Sequence, residues 1–289
     1  MTEIAEPGRS SRSRRTRTLV VTFLGSVVRR MGGWMPIAGT IELMGLLEVD
    51  APSVRTAVFR LKQRGWLEAE VRDGQRGYAL TPEAQTVLAQ GDEVIWHARR
   101  PAELTDGWCI VNFSVPESDR SKRYKLRSHL SSLGFGNIGT AMWIAPARMR
   151  GAAEAAIAEL GLDKYSAVFV GEYVGSRDLT TLLYDSWDLA AIDTSYRDFL
   201  TTYEPIVTGL ESRRTLGSRD AFTSYLGLID AWRRLPFRDP GLPREVLADG
   251  WSGPAATALF ERSVGLLEGR ALAYAGRWWP TPRPDAQRS

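Results

Sequence analysis

Val54-Arg55-Thr56-Ala57-Val58-Phe59-Arg60-Leu61-Lys62-Gln63-Arg64-Gly65-Trp66-Leu67 reads as a helix that buries one face and offers cations on the other. At about 100° per residue from Val54, Val54, Ala57, Val58 and Leu61 fall in one narrow apolar stripe. Arg55, Thr56, Phe59, Arg60 and Gln63 occupy the opposite side. Gly65 stands where such a helix stops. A helix with this asymmetry can dock on two others and still project a polar ridge into a major groove. Arginine bonds guanine bidentately or meets a phosphate, and threonine meets a phosphate or a thymine methyl. Phe59, an aromatic on the polar side, has two uses: contact with a thymine methyl, or packing against a neighbouring element.

The flanks complete the pattern. Trp66 to Val71 alternates apolar and polar residues, Arg72 to Gly77 is turn-rich, and Tyr78-Ala79-Leu80 reads as a returning strand. This is a hairpin with a basic tip, where Arg72 and Arg76 either reach phosphates or a neighbouring minor groove, or simply keep a loop solvated. Upstream, Val20, Phe23, Leu24, Val27 and Met31 recur at helical spacing, so a first helix is expected over Leu19–Met31, ended by Gly32-Gly33-Trp34. Pro36 suits the first turn of a second helix running to about Leu47, and Asp50-Ala51-Pro52-Ser53 is a helix-start signature for the third. Helix, helix, helix and hairpin in this order predict a winged helix over residues 18–80.

Residues 1–17 carry Arg9, Arg12, Arg14, Arg15 and Arg17 among serines and cannot bury enough apolar surface to fold alone. They are expected as a disordered basic tail, either solvated or serving as an arm to phosphates or a minor groove. Arg14-Arg15 before the apolar run Leu19–Val28 imitates a twin-arginine export signal, but Arg29-Arg30 close the run and no small-residue cleavage site follows. No run approaches the length of a membrane span.

The chain has 289 residues, 44% hydrophobic and 25% charged, with a formal net charge of +3, which fits a globular protein of two or three domains. The charge is uneven: residues 1–100 hold fifteen Lys and Arg against eleven Asp and Glu, a net of +4 that leaves −1 for the remainder. A basic N-terminal end joined to a neutral body suits a DNA-binding domain with a sensing partner. One cysteine, Cys109, allows no internal disulfide and no thiolate metal cage, and His97 and His129 lie far apart. No metal site, cofactor or catalytic residue is expected, and the composition fits a reducing cytoplasm.

Beyond the hairpin, Thr81 to about Ala98 reads as a helix, within a connector or dimer segment over 81–106. Residues 107–182 alternate strand and helix. Strands are expected at Trp108–Val115, Ala141–Ala145 and Ala167–Val174, with helices over Ser118–Leu133 and Met149–Leu160. With a hairpin at Gly134–Ala145 this predicts a ferredoxin-like split fold. Residues 183–280 are largely helical, over Trp187–Leu210, Arg219–Leu235 and Gly253–Leu267, and 281–289 read as a tail. The expected class is therefore a multidomain α+β protein with an N-terminal winged helix-turn-helix, a central ferredoxin-like domain and a C-terminal helical domain.

With these motifs in place, the chain resembles the PaaX family of bacterial transcriptional repressors from about Val20 onward. In the first unit the likeness rests on Arg29-Arg30-Met31-Gly32-Gly33-Trp34, on Val54 to Leu61 and on Arg64-Gly65-Trp66-Leu67. In the middle it rests on Trp108 with Val111-Asn112-Phe113, on Leu133-Gly134-Phe135-Gly136 and on Trp143-Ile144-Ala145-Pro146. Near the end it rests on Phe237-Arg238-Asp239-Pro240-Gly241-Leu242-Pro243 and Trp251-Ser252-Gly253. The resemblance implies three domains: a winged helix, a domain like the small nuclease subunit of CRISPR systems, and a family-specific helical domain. It also implies an operator-binding homodimer repressing phenylacetate catabolism genes, released from double-stranded DNA by phenylacetyl-coenzyme A or, for relatives with other targets, by another effector. The nuclease-like domain is expected to be inactive: the aspartate that ends the first strand of those enzymes is missing from Val111-Asn112-Phe113-Ser114-Val115, and Asp119 comes later.

An acyl-coenzyme A needs cations for its phosphates and an apolar slot for its acyl group. Candidates are Arg120, Arg123 and Arg127, one stripe at i, i+3 and i+7 that also suits a solvated face; Arg233 and Arg234 beside Trp232; and Arg197 beside Tyr196. Trp278-Trp279 could serve as a lid or as core, and the Arg238 to Pro243 motif as a ligand loop or a rigid turn. Two rivals stand beside the repressor reading. One is a nucleic-acid-targeted hydrolase or nuclease, for which no triad, metal cluster or phosphate loop is found; the other is a DNA-binding assembly module without an effector.

Overall fold

The computed structural model describes residues 7–97, 101–212 and 216–280. The expected tail at 281–289 and the first six residues lie outside them. The chain forms two compact units: one from residues 1–92, 203–232 and 259–289, the other from 93–202 and 233–258. The helices of the C-terminal segment are thus divided between both units.

In the first unit, α1 (Pro7–Phe23) runs on through a π-helical turn, Leu24–Val28, and a 3-10 turn, Arg29–Met31. This corrects the expected disordered tail: the helix starts at Pro7, not after Arg17. The reason is propagation. Val20, Phe23, Leu24, Val27 and Val28 are wholly buried and supply the nucleus, arginine is a good helix former, and extending an existing helix costs far less than starting one. Two polar residues inside this buried stretch bond back to their own helix, Ser26 Oγ to the Thr22 carbonyl at 2.8 Å and Thr22 Oγ1 within 3.1 Å of the Thr18 carbonyl.

The helix ends at Gly32 and Gly33, both at positive φ, and the chain enters a short strand, β1 (Trp34–Pro36). Two helices follow, α2 (Ile37–Gly45) and α3 (Ala51–Gln63), and then the hairpin, β2 (Leu67–Arg72) and β3 (Gln75–Leu80). Sheet order is β1-β3-β2, all antiparallel, with Trp34 opposite Ala79 and Leu67 opposite Leu80. Helix α4 (Pro82–His97) comes next. From the C-terminal segment, α9 (Ser218–Trp232) packs on α1. Phe23 meets Phe222 edge-on at 6.4 Å, and Trp279 Nε1 donates to the Trp34 carbonyl at 2.9 Å. Trp279 is therefore a brace within this unit, and Trp278 lies against Gly39.

The second unit is built on β4 (Trp108–Phe113), α5 (Arg120–Ser132), β5 (Gly136–Asn137), β6 (Met142–Pro146), α6 (Arg150–Glu159) and β7 (Ser166–Gly171). Its antiparallel order β5-β6-β4-β7 is that of a split β-α-β fold. Cys109, Val111 and Phe113 point from β4 into a core shared with Leu126, Leu130, Ala153 and Ile157. The last strand ends at Gly171, three residues earlier than expected, and Val174 beyond it is exposed. An unanticipated helix, α7 (Leu179–Ser186), precedes α8 (Leu189–Glu211), and α10 (Leu235–Arg238) and α11 (Gly253–Ala275) complete the segment.

Candidate nucleic-acid interface

The start of α3 is fixed by Asp50, whose carboxylate accepts from Ser53 N and Ser53 Oγ, each at 2.8 Å. Its end is a Schellman turn: Gly65, at φ +73°, bonds back to Lys62, and Trp66 N bonds to the Leu61 carbonyl at 3.0 Å. Between these caps Val54, Ala57, Val58 and Leu61 are buried, while Arg55, Thr56, Phe59, Arg60 and Gln63 are all exposed. Phe59 is 60% exposed.

The hairpin turn, Asp73-Gly74, has positive φ at both central residues, +46° and +78°; this twisted turn matches the twist of the strands it joins. Arg76 is exposed on β3. Arg72 is more constrained than the sequence suggests: its Nε donates to Glu70 Oε1 at 2.6 Å, its Nη2 to Oε2 at 3.2 Å, and its guanidinium lies 5.4 Å from the Trp34 ring centroid. That pairing holds the Glu70 carboxyl below the usual carboxylate range. Arg72, the last residue before the turn, is therefore tied back to Glu70 and the Trp34 ring, and Arg76 is the exposed cation beside it.

Between α3 and the wing lies a cleft of about 460 Å³ bordered by Arg55, Val58, Val71, Arg76 and Tyr78. Val71 is 63% exposed at its edge. Its lining also includes Glu70, whose carboxylate is paired with Arg72, so Arg55 and Arg76 are the cations it offers to a phosphate backbone. A smaller cavity opens on the other edge of α3, towards α1.

The second candidate set, for a small effector, is dispersed. On α5, Arg120 and Arg123 share Glu117, at 3.6 and 3.0 Å, and both guanidinium groups lie by the Tyr124 ring. Hydrogen bonding from Arg120 holds the Tyr124 phenol below its usual range. Arg127 sits 5.9 Å from the Trp143 ring centroid. Arg197 pairs with Asp193 at 3.1 Å. Arg233 is half-buried and Arg234 exposed. Trp232 does not fit an effector contact: it is fully buried and stacked on Phe260 at 4.6 Å, so its ring belongs to the core.

The proline-rich motif is a built turn. Asp239 accepts from Tyr196 Oη at 2.9 Å and from Gly241 N at 2.7 Å, and the Gly241 carbonyl receives Arg148 Nη2 and Ala102 N, each at 3.0 Å. The Arg29-Arg30 motif is likewise structural, with Arg29 bonded to both Asp92 oxygens at 2.8 and 3.0 Å and Arg30 within 3.5 Å of Glu268. These roles were hidden in the sequence because all of these partners but Gly241 N, two residues from Asp239, are distant along the chain.

Asn112 stands on β4 between Met142 and Ala167, and Asp119 lies in the turn before α5, 4.0 Å from Lys122 Nζ. Among the described residues no group of three or more His, Cys, Asp or Glu is placed to hold a metal ion, and no helix is long and apolar enough to cross a membrane.

Three family descriptions match the chain: PaaX-like protein over residues 15–84, PaaX protein central Cas2-like domain over 101–183, and PaaX-like protein C-terminal domain over 187–277. The transcriptional repressor PaaX of Escherichia coli (strain K12) is 26% identical over 262 residues, spanning 89% of this chain and 82% of its own. An uncharacterized protein from Mycobacterium tuberculosis shares the fold, with a TM-score of 0.58 at 18% identity over 89% of this chain and 97% of its own.

Proposed function

The chain belongs to the PaaX family, and from that premise we propose that it is a transcriptional repressor whose third helix enters the major groove of operator DNA. The observation that carries this reading is the division of α3: four apolar residues are buried, and Arg55, Thr56, Phe59, Arg60 and Gln63 are displayed together beside a wing that offers Arg76. It acts in the cytoplasm as a homodimer, because two recognition helices related by a two-fold axis read a palindromic operator. It is read as a regulator, not an enzyme: Val111–Val115 carries no aspartate at the end of the first strand, and Asp119, which comes later, lies 4.0 Å from Lys122 Nζ.

Release is proposed to come from an acyl-coenzyme A, phenylacetyl-coenzyme A being the first to try. The Arg120, Arg123 and Arg127 stripe, with Arg197, Arg233 and Arg234, supplies the candidate cations for its phosphates.

Operator selection from a random duplex pool, followed by anisotropy titration, tests the DNA reading. Arg55→Ala and Arg60→Ala should each weaken operator binding by about 1–3 kcal/mol; unchanged affinity in both removes the assignment. For the effector, phenylacetyl-coenzyme A at a hundred times its Kd should stabilise the protein by about 2.7 kcal/mol. A melting temperature that no acyl-coenzyme A moves favours the effector-free module instead.

A further inference from the structure

The edge of α3 away from the wing faces α1 across a cavity of about 150 Å³. Its wall carries Thr16 and Arg17 from α1, and Ser53, Thr56 and Arg60 from α3. Among the described residues, two guanidinium groups and three hydroxyls thus meet around one small space. Thr16 is buried and Arg17 half-buried, so this is a recess with a set shape. A recess of this size admits a phosphate group.

We propose that this recess seats a backbone phosphate of the bound DNA, with Arg17 and Arg60 as its cations. The proposal rests on the recognition-helix reading and refines it. A helix about 10–12 Å across fills a major groove about 12 Å wide, so the backbone strands on both sides come within side-chain reach. One strand passes the wing cleft, where Arg55 and Arg76 stand. The other passes the α1 side, where the recess lies. Arg60 thereby becomes a positioning contact blind to sequence, and Arg55 is left as the arginine that reads bases. The basic end of α1 acts from a folded helix.

The test is the salt dependence of binding by the full chain, measured by anisotropy on a selected operator duplex and on a random-sequence duplex. Arg17→Gln and Arg60→Gln should each lower the slope of log K against log salt by about 0.9 and weaken both duplexes by the same factor. Arg17→Lys, which keeps the charge, should retain the wild-type slope. Arg55→Ala should instead lower the ratio of operator to random binding. An unchanged slope in Arg17→Gln, a loss confined to the operator, or an equal loss in Arg17→Lys overturns the phosphate seat. So does inorganic phosphate that raises the melting temperature at constant ionic strength while the DNA slopes of the variants stay at the wild-type value. If Arg55→Ala and Arg60→Ala both bind operator as wild type does, the recognition-helix reading itself has failed; if Arg55→Ala weakens binding but the slopes hold, only the seat has.

Discussion

A Cβ on Gly77 would meet the Met35 carbonyl oxygen and the Trp34 ring, because β1 crosses close over β3 at that point. The obstacle includes backbone and a buried tryptophan, neither of which can swing aside. Gly77→Ala should therefore destabilise the protein by about 1–3 kcal/mol, read as a lower melting temperature, and should splay the wing; a melting temperature equal to wild type would show that β1 can retreat. Cys109 makes the complementary case. It is wholly enclosed on β4, and burial, reinforced by the Glu154 carboxylate, pushes its thiol up to about 11. A thiol raised in the fold favours the neutral form there, so its contribution is present below the unfolded value of 9.0 and is lost as pH rises towards 11. Native protein at pH 8 should resist thiol-specific reagents until it is unfolded. The sequence places Cys109 in the apolar strand Trp108–Val115, which agrees with its burial. It could not mark Gly77, whose constraint comes from a residue more than forty positions earlier.

At the scale of elements, the third helix was legible because everything that defines it is local: the Asp50 cap, the period of Val54, Ala57, Val58 and Leu61, and the Gly65 stop. Asp50→Ala should cost about 1 kcal/mol in urea unfolding followed by fluorescence, and loss of the cap should fray the turn that carries Ser53; an unchanged midpoint would mean that packing alone fixes this end. The strand β1 was not legible. Trp34-Met35-Pro36 is too short to show a period of two, and a proline reads as a break unless the strand is known to lie at a sheet edge. The partners of Arg72 were not legible either. Its position in a turn-rich stretch suggested a displayed cation; in the fold it also pairs with Glu70, two residues earlier on the same strand, and lies over the Trp34 ring of β1. Helix α7 did carry a local signal, since Asp178 caps Thr181 N at 2.8 Å; four apolar residues at most in an eight-residue helix are a weak period to find.

At the scale of the whole molecule, linear order misleads. The winged-helix elements share their compact unit with residues 203–232 and with the end of the chain. The clue lay in Leu19–Val28, where even Thr22 and Ser26 are buried, more than one buried stripe requires. Its second face is taken by α9, with Thr22 Oγ1 2.7 Å from Asp230 Oδ1. The buried Tyr225 hydroxyl lies 3.0 Å from Glu268 Oε1 and 3.3 Å from the Ser26 carbonyl, at the π-helical turn. Burial and the neighbouring Glu268 carboxylate push that phenol far above its usual range, so it stays a neutral donor. Trp279 closes the same unit from the other end of the sequence, tilted against Phe23 at 6.4 Å and bonded to the Trp34 carbonyl. That single indole touches both the buried first helix and the strand on which the wing is hung. Trp279→Ala removes aromatic area and leaves the Trp34 carbonyl without its indole donor. Because Trp279 is only half-buried, the loss should fall below the about 3–5 kcal/mol of a fully buried tryptophan, and Trp279→Phe should recover the packing share but not the hydrogen bond. If the C-terminal residues hold the wing in place, amide exchange in β1 and β3 should quicken in Trp279→Ala together with the drop in melting temperature. A fall in melting temperature with exchange in those strands unchanged would make Trp279 a general stabiliser with no hold on the wing.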